Sequence, residues 1–245
     1  MSAVLLIGGS DSSGGAGLVR DLRTLGDLGT AALCAVTAVT AQTDRAVLAA
    51  AVMAPQLVRA QIEAAFATRA IAAVKIGMLA NAALVHAVAE ALAPHPQVPV
   101  VLDPVLRSTS GGELLEEGGR RALMERLLAG VTLLTPNIPE AAVLLGRAAA
   151  VSEAQALEQA RELLARGAGA VLLKGGHAEG GESVDLLLTP QGLERLSAPR
   201  VQGTLRGTGC ALASAIAAYL AQGAPLSAAC ARAKAYVSAL LARAA

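Results

Sequence analysis

Short apolar runs alternate with longer segments of helical spacing along the chain. The first run covers residues 3–7, and a loop rich in Gly and Ser separates it from helical spacing over 18–28. Short runs that are apolar throughout are typical of parallel strands buried on both faces. The pattern predicts further strands at 30–40, 47–52, 72–76, 98–102, 131–135 and 170–173, and an antiparallel hairpin of 184–188 with 192–197.

Helical segments fill the intervals between these strands. Pro55 stands at the favoured first turn of one helix, and Asn81 is a good cap for the next. Further helices are predicted at 116–128, 140–145, 152–166, 209–221 and 226–242. Strand–helix alternation with right-handed crossovers predicts an α/β fold whose mostly parallel sheet has helices on both faces. No linker, charge block or internal repeat divides the sequence, so a single domain over residues 1–245 is expected.

The composition narrows the possible partners. Hydrophobic residues make up 54% of the chain, which is enough for a sizeable core, and the aromatic residues are Phe66, Tyr219 and Tyr236. So few aromatic side chains disfavour the binding of single-stranded nucleic acid by base stacking. The formal net charge of +1 gives no electrostatic reason to expect DNA or RNA as a partner.

The cysteines and the N-terminus exclude further classes of protein. Three widely spaced cysteines without a CxxC pair disfavour a disulfide framework and a structural zinc site. The N-terminal segment is too short and too uncharged for a signal peptide, and no long run is apolar enough to span a bilayer. The sequence therefore predicts a soluble, cytoplasmic protein that has no membrane partner.

A Gly-Thr-Gly-Cys stretch at 207–210 opens an Ala-rich segment near the end of the chain. Gly207 and Gly209 permit a tight turn and a close approach to a ligand. The first N–H groups of the following helix lack an intrahelical partner, so such a turn attracts an anion, most often a phosphate. We expect a lowered pKa for the Cys210 thiol here, and the combination suits phosphoryl transfer. The alternative is an ordinary helix cap with a small buried Cys behind it.

Polar and glycine residues also follow the predicted strands at their carboxyl ends, where open α/β sheets bind ligands. These residues are Ser10, Asp11, Gln42, Gly77, Met78, Asp103, Asn137, Glu140 and Lys174. Each of them alone could be ordinary loop chemistry. Their coincidence at successive strand ends favours a shared cleft and an enzyme.

Oxygen-bearing side chains in this set suggest a magnesium site. Asn137 and Glu140 are three residues apart at a strand-to-helix junction, and Asp103 follows a neighbouring strand. Oxygen ligands suit Mg²⁺, although Asn137 and Glu140 could instead cap the following helix. Lys174 is placed to neutralise phosphate oxygens. Lys75 lies inside a strand, where a structural ion pair is its expected role.

Several short motifs follow one another along nearly the whole chain. They are the Gly-rich stretch 9–17, Lys-Ile-Gly-Met-Leu at 75–79, Asp-Pro-Val at 103–105, Thr-Pro-Asn-Ile-Pro-Glu at 135–140, Lys-Gly-Gly-His at 174–177 and Gly-Thr-Gly-Cys at 207–210. Together they resemble the hydroxymethylpyrimidine/phosphomethylpyrimidine kinases of thiamine biosynthesis, in the ribokinase-like superfamily. The resemblance implies a three-layer α/β/α sandwich that uses ATP and Mg²⁺. It also implies two successive phosphorylations, first of 4-amino-5-hydroxymethyl-2-methylpyrimidine and then of its monophosphate.

The same resemblance implies roles for individual residues. The residues that match the pyrimidine pocket are Gly9, Ala16, Asp21, Gln42, Met78 and Val105. Those that match the Mg²⁺ region are Asp103, Asn137 and Glu140, and the ATP-binding positions are Lys174, Asn137 and Thr208. Cys210 is then the general base for the substrate hydroxyl. The transferred phosphoryl group is stabilised by Lys174 and by the amides of the turn that contains Gly207 and Gly209.

Two positions depart from the pattern of that family. Arg206 stands where members usually have His, and Thr109 stands where they usually have Lys. The nearest alternative activity is that of a pyridoxal kinase, since some relatives with this Cys motif phosphorylate vitamin B6. A non-catalytic sensor is a second alternative, and it would bind the pyrimidine without ATP turnover. We expect a homodimer, as is common in relatives, in which the hairpin at 184–197 could pair between subunits.

Overall fold

One β-sheet runs through the described part of the chain, which comprises residues 2–108, 111–175, 181–201, 203 and 205–244 of a computed structural model. Thr109 and His177, which belong to the motifs above, lie outside these residues. Within the described residues, the strands are β1 (Ala3–Asp11), β2 (Ala31–Gln42), β3 (Val47–Val52), β4 (Ile71–Ile76), β5 (Val100–Leu102), β6 (Leu133–Leu134), β7 (Val171–Leu173), β8 (Glu182–Thr189) and β9 (Gly192–Pro199). Their order in the sheet is β3-β2-β1-β4-β5-β6-β7-β8-β9.

The centre of the sheet is parallel and its two flanks are antiparallel. β1 pairs in parallel with β2 on one side and β4 on the other, and parallel pairing continues through β5, β6 and β7. β3 joins the edge beside β2 in the antiparallel sense. β8 and β9 form the predicted antiparallel hairpin at the opposite edge. The mostly parallel sheet that the sequence predicted is confirmed.

Helices follow most of the strands, as the alternating pattern predicted. The α-helices of the described residues are α1 (Gly17–Asp27), α2 (Pro55–Thr68), α3 (Ala82–Leu92), α4 (Glu117–Ala122), α5 (Ile138–Leu145), α6 (Glu153–Ala165), α7 (Thr208–Ala221) and α8 (Leu226–Ala244). The predicted helix at 116–128 is not α-helical throughout, because α4 passes into a π-helical turn at Leu123–Leu127. None of the described helices combines the length and apolar character that crossing a bilayer requires.

Two hydrophobic cores lie on opposite faces of the sheet. Leu5 and Ile7 of β1 pack into one core, which includes buried residues of α2, α3, α5 and α6. Val4 and Leu6 point to the other face, where their core includes residues of α1, α7 and α8. Because successive side chains of a strand alternate between faces, β1 is apolar at every one of these positions. The result is the expected three-layer α/β/α sandwich.

The sheet changes direction at β1, because the chain moves to β2 on one side and later to β4 on the other. Such a switch point leaves a crevice beyond the carboxyl ends of the strands, where ligands bind in open α/β sheets. β1 is also longer than predicted. It continues through Gly8 and Gly9 to Asp11, since this stretch pairs with residues 36–40 of β2. The start of the Gly-rich stretch is thereby fixed to the sheet.

Candidate active site

A pocket of about 1170 Å³ opens beyond the carboxyl ends of β1, β2, β4, β5, β6 and β7. Pockets for single small ligands are typically about 300–1,000 Å³, so this one has room for two ligands side by side. All the residues predicted for the site border it: Gly9, Ala16, Asp21, Gln42, Met78, Asp103, Val105, Asn137, Glu140, Lys174, Gly207, Thr208, Gly209 and Cys210. The predicted convergence of strand ends on one cleft is confirmed.

The N-terminus of α7 points into the pocket. Gly207 precedes the helix with a φ of 75°, and no side chain caps this end. A Cβ at Gly207 would collide with the carbonyl oxygen of Gly15, so the turn needs glycine for space as well as for conformation. The first helical hydrogen bond runs from the Ala211 amide to the Gly207 carbonyl at 2.9 Å. The amides of residues 208–210 therefore have no intrahelical acceptor, which is the condition for anion binding at a helix start.

Lys174 lies at the end of β7 beside two carboxylates. Its Nζ donates to Asp103 Oδ1 at 2.9 Å and lies 3.6 Å from Glu140 Oε2. Burial alone would lower the pKa of Lys174, but Asp103 and Glu140 raise it above its ordinary value, so the amine is protonated. A Cβ on Gly209 would be only 3.3 Å from Nζ, so Gly209 lets the ammonium lie against the tip of α7. A fixed cation and free amides are therefore adjacent.

Asn137 and Glu140 form a reciprocal cap at the start of α5. The backbone amide of Asn137 donates to Glu140 Oε2 at 2.7 Å, and the backbone amide of Glu140 donates to Asn137 Oδ1 at 2.8 Å. The capping role that the sequence left as an alternative is thus confirmed. Burial raises the pKa of Glu140, and the ammonium of Lys174 opposes this effect. In the described ranges, no three His, Cys, Asp or Glu side chains are grouped so that they could hold a metal ion.

Asp103 keeps one carboxylate oxygen unengaged. Its Oδ1 accepts hydrogen bonds from Lys174 at 2.9 Å and from Thr135 at 3.5 Å. Its Oδ2 accepts no hydrogen bond from any of the described residues, and a Cβ on Gly209 would be 3.5 Å from it. This oxygen lies beside the tip of α7 and is free to take part in binding a cation.

Asp21 lies at the base of the pocket but beneath its accessible surface, which changes the role predicted for it. Its carboxylate accepts from Lys75 Nζ at 2.7 Å and from Ser214 Oγ at 2.8 Å, and the residue is fully buried. With no exposed surface, Asp21 has no access to a bound substrate. The structural ion pair predicted for Lys75 is confirmed. Burial would lower the pKa of Lys75, but Asp21 raises it above its ordinary value.

Cys210 lies in the first turn of α7, above this buried pair. Burial raises the pKa of its thiol to about 11, and the nearby charge of Lys75 opposes that rise. The carboxylates of Asp21 and Asp103 raise it further. The sequence-based expectation of a lowered pKa is therefore wrong, because the lost hydration of the thiolate outweighs the helix terminus and the lysine.

The residues at the ends of β1, β2 and β4 form the other half of the pocket. A Cβ on Gly9 would lie 2.9 Å from Met78 Sδ, so glycine leaves the space that the Met78 side chain occupies. Thr37 Oγ1 donates to the Met78 carbonyl at 2.6 Å and fixes the backbone there. Gln42 Oε1 accepts from Thr40 Oγ1 at 3.3 Å, and the backbone amide of Gln42 donates to Ser12 Oγ at 2.8 Å, whereas the side-chain Nε2 has no partner among the described residues. This half offers an apolar face and a free amide donor.

Asp185 and Lys234 also border the pocket, and sequence reasoning missed them. Asp185 Oδ2 accepts from Lys234 Nζ at 2.8 Å, and Oδ1 accepts from the Gly175 amide at 2.9 Å. The pair thereby anchors the backbone of Gly175, directly after Lys174. A signal existed in the sequence, because Asp185 interrupts an apolar strand just as Lys75 does, and a buried charge requires a partner.

Comparison with known proteins adds a family to this geometry. A family model described as phosphomethylpyrimidine kinase matches residues 11–245. A hydroxymethylpyrimidine/phosphomethylpyrimidine kinase of Rhizobium meliloti is 44% identical over 243 residues, which cover 98% of this chain and 91% of that protein. The Escherichia coli protein of the same name is 43% identical over 215 residues, which cover 87% of this chain and 81% of that protein.

Solved structures give the same picture of the fold. A phosphomethylpyrimidine kinase of Clostridium difficile matches with a TM-score of 0.85 and 34% identity, covering 98% of this chain and 100% of that one. A pyridoxal kinase of Staphylococcus aureus, solved with AMP-PCP and pyridoxal, matches with a TM-score of 0.88 and 30% identity, covering 97% of this chain and 87% of that one. Backbone similarity therefore does not separate the two substrate classes, whereas sequence identity favours the pyrimidine kinases.

Proposed function

The chain belongs to the phosphomethylpyrimidine kinase family, and from this membership we propose how its pocket performs the reaction. The enzyme uses ATP to phosphorylate 4-amino-5-hydroxymethyl-2-methylpyrimidine and then its monophosphate, in thiamine biosynthesis. The single observation that supports this most is the convergence of the predicted residues on one pocket beside the uncapped start of α7. Residues 1–245 act as one domain in this proposal, because strands from across the chain share one sheet.

The acceptor binds at the ends of β1, β2 and β4. The free amide of Gln42 donates to the edge of the pyrimidine ring, and Met78 covers its face. Gly9 and Ala16 allow close approach of the ring, and Val105 supplies an apolar contact from the end of β5. Asp21 is left out of the binding set, since its buried carboxylate holds Lys75 instead.

The triphosphate of ATP binds at the tip of α7. The amides of residues 208–210 bind the phosphate oxygens, and Thr208 adds a hydroxyl at the same position. Lys174 moves from Asp103 towards the transferred group and stabilises its developing charge. Asn137 lies at the end of β6, beside Lys174, and contributes its side chain to the nucleotide site.

Mg²⁺ fits the oxygen donors at this end of the pocket. The unengaged Oδ2 of Asp103 would hold the ion, and Glu140 would do so through water, since Mg²⁺ binds through one or two carboxylates and keeps several waters. When bound, the ion would neutralise charge on the phosphate oxygens.

Cys210 acts as the general base for the alcohol. Its thiolate accepts the hydroxyl proton, the alcohol oxygen forms a bond to the γ-phosphorus, and the bond from that phosphorus to the leaving ADP oxygen breaks. The second acceptor is a phosphate monoester, whose oxygen is already largely ionised at neutral pH because its second pKa is about 6. The second step therefore needs the thiolate less than the first.

A steady-state assay with several acceptors tests the function. ADP release from Mg-ATP is measured with the pyrimidine alcohol, its monophosphate and pyridoxal, and the highest kcat/KM is expected for the pyrimidine alcohol. Turnover with pyridoxal alone would assign the enzyme to the second candidate, a pyridoxal kinase, which the similarity to the Staphylococcus aureus structure supports. Pyrimidine binding without ADP release would identify a sensor instead of an enzyme.

A cysteine variant tests the base. Cys210→Ala is expected to lose about 10²- to 10⁴-fold in kcat with the alcohol and clearly less with the monophosphate. Cys34→Ala is the matched control, because Cys34 lies on β2 outside the pocket and should retain full activity. Turnover of the alcohol by Cys210→Ala at the wild-type rate would show that another group takes the proton.

The homodimer is expected to form through β3 rather than through the hairpin of β8 and β9. β3 is an edge strand without a charged residue, and Leu48 on it is 71% exposed. The opposite edge strand, β9, carries Glu194 and Arg195, and charged residues protect an edge from pairing. Light scattering should give a dimer for the wild type and a monomer for Leu48→Glu. A dimer that survives this change but dissociates with Leu193→Glu would place the contact on the hairpin.

Fractionation of cells should find the enzyme in the cytoplasm, where ATP is available.

A further inference from the structure

Arg206 precedes the anion-binding turn and binds two segments from the opposite half of the pocket. Its Nη1 donates to Ser13 Oγ at 2.8 Å and to Asp44 Oδ1 at 2.9 Å, and its Nη2 donates to Asp11 Oδ2 at 3.1 Å. Asp11 and Ser13 belong to the Gly-rich stretch after β1, and Asp44 lies in the turn between β2 and β3. One guanidinium therefore connects the turn before α7 with both segments.

Asp11 is the organising residue of the Gly-rich stretch. It is buried, its Oδ1 accepts from the amide and the hydroxyl of Ser13, and its Oδ2 accepts from the Ala16 amide at 3.0 Å. Arg206 binds the same Oδ2 that holds Ala16. Arg206 and the Ala16 amide thus share one carboxylate oxygen, so Arg206 helps to hold the Gly-rich stretch as one unit up to the start of α1.

The Gly-rich stretch and the turn before α7 are also in close backbone contact. A Cβ on Gly207 would collide with the Gly15 carbonyl and lie 3.0 Å from the Ala16 Cα, and a Cβ on Gly15 would lie 3.0 Å from Arg206 Nη1. At these two glycines there is no space for a side chain. The Gly-rich stretch and the turn before α7 are therefore joined by glycine contacts and the Arg206 ion pairs, in addition to the buried hydrogen bond from Ser214 of α7 to Asp21 of α1.

We propose that Arg206 is a positioning residue that holds the Gly-rich stretch against the tip of α7 and so fixes the acceptor oxygen relative to the γ-phosphate. This inference rests on the proposed function, because it assumes that acceptor and ATP bind in opposite halves. Each substrate contacts mainly its own half, so loosening the connection leaves both binding steps nearly unchanged. The reaction, in contrast, requires both substrates at one distance and in one orientation.

The expected signature is a fall in kcat without a matching rise in KM. A misplacement of about 1 Å can reduce the rate about 10²-fold, and we expect a loss of this order for Arg206→Gln with both KM values close to the wild type. Arg206→Lys should be less impaired, because an ammonium can bind one of the carboxylates but not both in the planar arrangement of a guanidinium. Asp44→Asn should lose at most about fivefold in kcat, since Asp44 is 83% exposed and an exposed pair contributes little.

Arg45→Gln is the matched control, because Arg45 is exposed, lies next to Asp44 on the same turn and makes no side-chain ion pair in the described chain. The double variant Arg206→Gln/Asp44→Asn should lose no more than Arg206→Gln alone, since both changes break the same contact. Thermal unfolding of each variant identifies a loss of fold. If Arg206→Gln does not fold, the kcat values of Arg206→Lys, Asp44→Asn and their double variant decide the question in the same way.

Three results would overturn the inference. One is a wild-type kcat in Arg206→Gln, and another is a raised acceptor KM at unchanged kcat, which would mean that Arg206 contacts the acceptor itself. The third is a multiplicative loss in the double variant. A wild-type enzyme that phosphorylates none of the acceptors would instead refute the proposed function, so the two failures are distinguishable.

Discussion

Two lysine–aspartate pairs lie at the base of the pocket, and they differ in exposure. Lys75 pairs with Asp21 at 2.7 Å, and Lys174 pairs with Asp103 at 2.9 Å. The side chains of the first pair are 1% and 0% exposed, whereas those of the second are 15% and 4% exposed. Both lysines belong to strands or strand ends of the same parallel sheet. The same chemical pair is therefore present once inside the protein and once at the edge of a cavity.

This difference separates a structural pair from the pair that the proposed mechanism uses. Asp21 also accepts from Ser214, so both of its oxygens are engaged, and neither side chain of the pair is appreciably exposed in the pocket. Lys174, in contrast, has a second carboxylate 3.6 Å away in Glu140, and its ammonium reaches the tip of α7. With 15% of its side chain exposed, against 1% for Lys75, Lys174 is the lysine that a bound ligand can reach.

The largest expected effect is on stability and comes from Lys75→Met. The change leaves the Asp21 carboxylate buried without a counter-charge, which typically lowers the free energy of unfolding by about 3–5 kcal/mol. Denaturant unfolding measures the loss. The double variant Lys75→Met/Asp21→Asn removes both charges and should recover part of it. A loss below about 1 kcal/mol in the single variant would mean that water or another cation compensates Asp21.

Lys174→Met is expected to act on the reaction instead. Loss of a preorganised charge at a transition state typically costs about 10²- to 10³-fold in kcat, and unfolding should change much less than in Lys75→Met because the site is open to water. Single-turnover phosphoryl transfer at saturating ATP gives the rate of the chemical step. A variant with wild-type turnover but with the stability loss of Lys75→Met would assign both pairs to the fold.

The sequence predicted the positions of strand ends well and the contacts between them less well. Carboxyl ends of parallel strands meet at one edge, so Gln42, Asp103 and Lys174 could be expected together from the apolar runs alone. The Asn137 and Glu140 cap was also within reach, because a spacing of three residues at a helix start is a local pattern.

Contacts over long separations could not be predicted in this way. Asp21 and Lys75 are 54 residues apart, and their contact depends on how α1 packs on β4, which no local pattern encodes. The family resemblance placed Asp21 among the substrate-binding residues, and no pattern in the sequence indicated that its carboxylate would be buried against Lys75. The pKa of Cys210 was misjudged for a related reason. The helix start is visible in the sequence, but the burial that outweighs it is a property of the assembled layers.

The pH dependence of the reaction tests whether the charge of Lys75 in the buried pair lowers the pKa of the Cys210 thiol. In the proposed mechanism the base is the Cys210 thiolate, and burial raises the pKa of this thiol to about 11, so only a small fraction is ionised at neutral pH. That fraction grows with pH, so kcat/KM with the alcohol should rise about tenfold per pH unit between about pH 7 and 9. Lys75 lowers the pKa of Cys210, so folded Lys75→Met, which keeps the Asp21 carboxylate, should be slower at each of these pH values. Cys210→Asp is the control, since its carboxylate should be ionised throughout and give a flat profile. A flat wild-type profile would contradict the assignment of Cys210.

The smallest effect is expected at an ion pair on the surface. Arg59 and Glu63 of α2 are 2.7 Å apart, the same distance as Lys75 and Asp21, but their side chains are 50% and 55% exposed. Water solvates both groups when the pair is broken, and the ordering of two long side chains offsets most of the attraction. Alanine also has the higher helix propensity. The denaturant midpoint of Arg59→Ala should therefore coincide with that of the wild type at physiological salt. A midpoint shifted as far as that of Lys75→Met would show that separation, and not burial, determines what these pairs contribute.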